Sequence, residues 1–416
     1  PYDILLTIKF IIYQKYINVY NRVNGGNMKV SEKLFFLSYG IYLLFNILNA
    51  SFYSIYINSY MKLVMIACVV IELYRELFYT RLSKKELFLL MLCFLLSTLL
   101  IMHLNGLSMF PLFFFIYGAR NIDFKKIAKF TAIESTILLI FIIESANLGI
   151  ITNYKTISFG RHRTYLGFRY PLFPQMILFN ITLANLYIHR GKVSVLRCIF
   201  WILMNYWMFC YTDSRLSYYL AVLLVLAIFI IEKKPRILEK RKILCFILIF
   251  SFPISCIFSL YTTYKYDASS SFMVSLDEFL GGRLHLGKRS LSEFKLNLFG
   301  NDTKYIGAGL NMYGERVTGK YNYVDCMYIN LLEKYGIIFN VIFLALLTFV
   351  LSKTYKDKDY MLFIILVGLA LHGIIDDLEI YLYYNVFWLT ISSFFNKNSV
   401  IAENKNELDI KEELSA

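Results

Sequence analysis

Long apolar runs separated by short polar stretches dominate the chain. A helix needs roughly 17 to 25 mostly apolar residues to cross a bilayer. On that scale the pattern predicts spans near 34–51, 53–74, 86–104, 107–119, 130–149, 171–188, 198–213, 215–232, 243–262, 326–351, 360–376 and 380–396. That is about twelve helices, an all-α polytopic membrane protein. The run at 107–119 is short, and the runs that end at 213 and begin at 215 meet in a tight turn. Nine spans occupy 28–260, one large loop covers 261–325, three spans fill 326–396, and 397–416 is a polar, mixed-charge tail. The stretch 1–27 reads in two ways. "MKVSEKLFF" from Met28 looks like an ordinary start, which makes 1–27 an over-extended reading frame; alternatively "DILLTIKFIIYQKYINVY" forms an interfacial amphipathic helix.

Composition agrees with the pattern: 58% of the 416 residues are hydrophobic, 18% aromatic and 17% charged, and the mean hydropathy is +0.55. Such a balance excludes a soluble protein of this size. Lys and Arg outnumber Asp and Glu by 43 to 29, which in a soluble domain would suggest nucleic acid. Here the basic residues cluster in loops between apolar runs and read as orientation signals, so no nucleic-acid partner is expected. The loops 75–85, 120–129, 189–197, 232–242 and 353–358 are the basic ones, and each lies an even number of spans from the next. They share one face, the cytoplasmic one, and both termini lie there too. The seven cysteines, Cys68, Cys93, Cys198, Cys210, Cys245, Cys256 and Cys326, form no CxxC pair and read as small apolar residues inside spans.

The opposite face breaks its own rule in three places: the opening stretch, the turn "TDSR" ending at Arg215, and the loop 261–325. "GRHRTYLGFRYP" (160–171) adds Arg161, Arg163 and Arg169, and the large loop carries Arg283, Lys288, Arg289, Lys295, Arg316 and Lys320. Basic residues there oppose the orientation signal, so another demand keeps them. Arginine grips phosphate with a planar fork of donors and stays charged, which points to an anionic headgroup. The plainer reading is surface charge, or pairing with Asp267, Asp277, Glu278 or Glu315. Arg215 sits at the membrane boundary, where burial costs about 2.5 to 3.5 kcal/mol without a partner or snorkelling.

Three segments, in order and spacing, resemble the C-terminal half of Wzy-type O-antigen and capsular polysaccharide polymerases of the O-antigen polymerase and ligase superfamily. They are "DSRLSYYLAVLLVLAIFI" (213–230), "GGRLHLGKRSLSEFKLNLFGNDTKYIGAGLNMYG" (281–314) and "YVDCMYINLLEKYGIIF" (323–339). In that family an "SR" turn opens one helix, a "GR" pair leads an amphipathic external helix ending in "LFG.G", and an Asp or His begins the next span. "RTYLGFRYP" (163–171) is similar to the family's "LGF.HP" loop. Cys326 departs from the usual Asn or Ser, and Arg169 and Tyr170 stand where a His or Asn is expected.

The resemblance implies a GT-C-like, metal-independent glycosyltransferase on the outer face of the bacterial cytoplasmic membrane. Its substrate would be an undecaprenyl-diphosphate-linked oligosaccharide, its partners in the bilayer a flippase and a chain-length regulator, and no cofactor is expected. Arg161, Arg163, Arg169, Arg215, Arg283 and Arg289 would grip the leaving diphosphate, with Arg163, Arg215 and Arg283 matching the family best. His285, Asp325 and His372 are the candidate bases for the attacking hydroxyl. His372, just before "DDLE", falls within reach of the outer face; its plainer role is packing, and Asp325's is to cap the helix that starts at Cys326. No DxD lies on the outer face, since "DKD" (357–359) is cytoplasmic, so no metal is expected. "FGNDTKYIGAGLNMYG" (299–314) lacks the Lys-Ser/Thr ending of a phosphate loop and reads as a turn-rich lid. A ligase that moves a finished glycan shares these features. A lipid-linked-sugar transporter would need a repeat that is not found here.

Overall fold

The computed structural model describes residues 29–80, 84–104, 109–158 and 160–395, so the readings of 1–27 and of the tail 397–416 lie outside the described residues. Among the described residues the architecture is helical, apart from one two-stranded hairpin. Helix α1 (Val30–Asn49) packs on α2 (Ser54–Tyr79) and on α3 (Phe124–Asn147), and α3 packs along α4 (Leu172–Ile188). Helix α5 (Val195–Thr212) turns tightly into α6 (Arg215–Lys233), which lies against α4 and α8 (Tyr360–His372), with α7 (Met327–Lys356) beside α8.

Among the described residues four helices are long and apolar enough to cross a membrane: α2, α5, α6 and α7. A fifth crossing is made by Lys242–Ile249 and Ser251–Lys265, if that pair, bent by 62°, is one span. The bend has a local cause. Pro253 lacks an N–H and its ring crowds the carbonyl four residues back, at Ile249, where the first helix stops.

Two expected spans are not spanning helices. Among the described residues of the first, 109–119, the α-helix is Leu112–Gly118, and the described residues of the second, 380–395, hold turns and 3₁₀ structure, Leu378–Ile380 and Val386–Phe394. Asn385 explains much of the second case. Its side chain accepts from Phe387 N–H at 3.1 Å, a local bond that competes with the helical ladder. The segment's apolar character serves burial instead: Trp388 is sealed between Phe252 and Phe343. Of the cysteines, Cys210 is exposed and the other six are buried.

The segment expected as an outer loop carries its own helices, Ser271–Phe279 and α9 (Arg283–Glu293), and α9 begins at the arginine of the "GR" pair. Further on, the chain locks into a break in α7. Gly336, at φ 83° and ψ 173°, interrupts that helix. Ile337 and Ile338 therefore donate not to carbonyls of their own helix but to Asn297 O (3.0 Å) and Leu298 O (3.1 Å). Asn301 N–H in turn donates to the orphaned Glu333 O at 2.9 Å. Contact this close needs two glycines. A Cβ on Gly300 would sit 2.1 Å from Lys334 O, and one on Gly336 would sit 2.4 Å from Gly300 N.

Candidate functional site

"LGFRYP" is the strut around which the site assembles. Leu166 and Gly167 both take left-handed backbone (φ 52° and 84°), and a Cβ on Gly167 would press within 3.0 Å of Ile142 and Ala146 on α3. After this turn the backbone is pinned from two sides. Phe52 N–H donates to Gly167 O and Arg169 N–H to Ala50 O, both at 3.0 Å, and Leu310 N–H donates to Arg169 O at 2.9 Å. One short stretch thus joins the end of α1 to the segment that follows the α7 lock.

Upstream lies the antiparallel hairpin of β1 (Lys155–Ser158) and β2 (Arg161–Thr164). Strand alternation sends Arg161 and Arg163 to the same side, and both reach the turn between α5 and α6. Arg161 pairs with the Asp213 carboxylate and also donates to its carbonyl, while Arg163 Nε donates to Thr212 O at 2.9 Å. Arg215 Nε meets the other Asp213 oxygen at 3.0 Å. The partner demanded of a boundary arginine is therefore Asp213, although the Arg215 side chain is 57% exposed.

Arg163 also lies over the Tyr170 ring, 5.7 Å from its centroid. Burial, with Asp325 adding to it, raises the Tyr170 hydroxyl to about 12, against the pull of Arg163 and Arg283. Tyr170 is thus the meeting point of two groups of charges. The second group is built on α9. Arg283 donates through Nε to Ile375 O (3.0 Å) and through Nη1 to Gly281 O (2.7 Å), and its Nη2 stands 3.6 Å from the Asp325 carboxylate. Asp325 caps nothing: α7 starts at Met327, after Cys326, without a side-chain cap.

Beside these charges opens a cavity of about 500 Å3. Its walls come from 46–65, 169–173, 305–325 and 377–384, and seven tyrosines line it, from Tyr170 and Tyr305 to Tyr384. Residues 305–310, within the stretch read as a lid, form one wall. The wall also includes Asp377, which accepts from Tyr323 OH at 2.6 Å and Asn330 Nδ2 at 2.8 Å. Burial pushes its carboxyl up to about 7; nearby Lys334 opposes the shift and Asp325 reinforces it.

The expected site residues now separate. Arg169 and Asp325 line the cavity. Arg163 and Arg283 reach it through Tyr170 and Asp325, and Arg289 through Nη2, which donates to Tyr321 O. Arg161 and Arg215 gather on Asp213, behind Arg163. His285 is not in the cavity wall. Its Nδ1 lies 2.7 Å from Asp277 Oδ2, while Asp277 Oδ1 caps α9 by accepting from Leu284 N–H (2.7 Å) and His285 N–H (3.2 Å). Such a carboxylate holds the proton on Nδ1 and leaves Nε2 as the basic nitrogen.

His372 corrects the expectation that it reaches the outer face. It is completely buried, with Nδ1 on the Glu379 carboxylate and Nε2 3.3 Å from Ser217 Oγ. The sequence reading also missed Asp377 and the tyrosines that follow it. Their signal was present in "DDLEIYLYYN", where acids between two expected spans run into tyrosines at the head of the second. No protein-family model, curated protein or solved structure matches this chain.

Proposed function

We propose that the protein is a polysaccharide polymerase. It joins oligosaccharide repeat units carried on a polyprenyl diphosphate, at the outer face of the bacterial cytoplasmic membrane, in capsule or O-antigen synthesis. In this reading the shorter apolar helices add further crossings in a GT-C-like arrangement, both termini are cytoplasmic, and 261–325 faces outward.

One observation carries the reading: arginines from two distant segments converge beside a tyrosine-lined cavity, Arg163 over the ring of Tyr170 and Arg283 beside the carboxylate of Asp325, both of which line it. When the bond between the anomeric carbon and the diphosphate breaks, the leaving group gathers negative charge. Guanidinium groups already fixed there stabilise that charge without reorganising. The attacking hydroxyl must also lose a proton. Asp325 is the favoured base because it lines the cavity, whereas His285 lies outside the wall and His372 is sealed in the core. Arg161 and Arg215, shared on Asp213, hold the turn against which Arg163 is braced.

Deleting the gene and separating the lipid-linked glycans tests this reading. Accumulation of single repeat units with no ladder supports polymerisation. A long polymer left unattached to its final acceptor points instead to a ligase on the same lipid donor, and an unchanged profile refutes both.

A further inference from the structure

We propose that the tyrosine-lined cavity holds the sugar portion of an acidic repeat unit, with a sugar carboxylate seated on Arg169. The inference rests on the polymerase reading and names the class of substrate.

Arg169 is the charge in this cavity that nothing answers. Among the described residues no carboxylate pairs with it, and its Nε–H is closed off from solvent without a hydrogen-bond partner. The other charged groups in the wall are accounted for. Asp325 faces Arg283 at 3.6 Å, and the Asp377 carboxylate receives hydrogen bonds from Tyr323 and Asn330. A half-buried guanidinium with no counter-charge is costly, and an anionic ligand removes that cost. Nor is the side chain's origin loose, since backbone hydrogen bonds to Ala50 and Leu310 fix the Arg169 main chain on both sides.

The remaining chemistry suits a sugar better than a bare phosphate. Tyrosine offers a ring face to C–H groups and a hydroxyl to sugar hydroxyls, and seven of them line this space. Asn49, in the same wall, has a buried Oδ1 with no partner, an acceptor for a sugar O–H or an amide N–H. At about 500 Å3 the volume falls in the roughly 300–1,000 Å3 range of small-molecule sites. Arg163 and Arg283, nearer Tyr170 and Asp325, remain for the diphosphate.

The first test is the composition of the polymer lost on gene deletion. An acidic sugar in every repeat is expected. A neutral polymer overturns the inference and leaves the polymerase reading standing, whereas no lost polymer overturns the reading beneath it. The second test uses the purified full chain with its lipid-linked repeat unit and with the counterpart in which each sugar carboxylate is reduced to the alcohol. For the wild type the reduced unit should raise KM roughly 10- to 100-fold, the worth of a charge-assisted hydrogen bond. Arg169→Gln should raise KM for the native unit by a similar factor and show little further loss on the reduced one, with Arg169→Lys recovering part of the affinity. Arg169→Lys also serves as the folding control, since it keeps the charge. If the wild type extends both units equally while Arg169→Gln is still impaired, Arg169 holds the diphosphate and the proposal fails. It fails too if Arg169→Gln changes neither KM.

Discussion

Replacing Gly300 with alanine should unfasten the 297–301 segment from α7. The new Cβ would sit 2.1 Å from Lys334 O and 2.6 Å from its carbonyl carbon, both backbone atoms that cannot swing aside. Residue 300 is also at φ 87°, where a side chain costs about 1 to 2 kcal/mol. Relief of the clash requires the 297–301 segment to withdraw, losing three backbone hydrogen bonds, to Ile337, Ile338 and Glu333. At about 0.5 to 1.5 kcal/mol each, that adds roughly 1.5 to 4.5 kcal/mol to the conformational cost. Gly149→Ala is a matched control: its φ is 73°, yet nothing lies within 4 Å of a Cβ there, so it carries the backbone cost alone. The assay is the thermal midpoint of the purified protein in detergent, followed by the size-exclusion peak that survives heating. Gly300→Ala should lower the midpoint clearly more than Gly149→Ala and should expose 297–325 to protease. Equal midpoints for the two variants would refute the lock.

Three further outcomes follow from the same geometry. With Cys210, the exposed cysteine, changed to serine, a membrane-impermeant thiol reagent added to intact cells should label Tyr154→Cys and Lys320→Cys but not Lys126→Cys or Lys234→Cys; labelling at Lys234→Cys reverses the proposed sidedness. If Asp325 accepts the hydroxyl proton, Asp325→Asn should stop chain extension while repeat-unit binding persists; an active Asp325→Asn enzyme transfers the role to His285, whose Nε2 is free of Asp277. Burial raises Asp377 to about 7 from an ordinary value of about 3.9, so the folded state holds this proton more tightly than the unfolded chain. That contribution is complete below about pH 4 and lost as pH rises through about 7. The stability of the wild type relative to Asp377→Asn should therefore fall between about pH 5 and 7, by up to about 1.4 kcal/mol per unit; a flat difference contradicts the buried acid.

How much of this was legible in the sequence depended on the range of the interaction. The tight turn at Asp213 follows from local residue types, and the structure has it where the pattern put it; the helix beginning at Arg283 is what the resemblance implied, and 305–310, inside the stretch read as a turn-rich lid, line the cavity. Apolar runs report burial rather than secondary structure. The segment expected as a span from 380 is as apolar as one, but residues 386–391 are buried by their neighbours in a 3₁₀ helix and the residues just before them contribute tyrosines to the cavity. Partners distant in sequence were not legible. Nothing near His372 announces Ser217 on α6, and nothing near Asp325 announces Arg283 across the intervening turns. Gly300 and Gly336, both within the motif-like stretches, read as a loop glycine and a helix glycine, and their mutual contact is visible only in three dimensions.

The central claim, glycan polymerisation at the Arg163 and Arg283 cluster, meets its most direct test in proteoliposomes containing the purified protein and lipid-linked single repeat units. The wild type should convert them into a ladder of longer glycans on the same lipid. Arg163→Lys and Arg283→Lys should each slow this by about two to three powers of ten, the usual effect of removing one transition-state donor, because an ammonium group cannot reproduce the guanidinium fork. Lys288→Ala and Lys320→Ala should leave the rate nearly unchanged. A wild type that binds the repeat unit yet makes no ladder, or a normal ladder from the Arg163→Ala, Arg283→Ala double variant, would contradict the account.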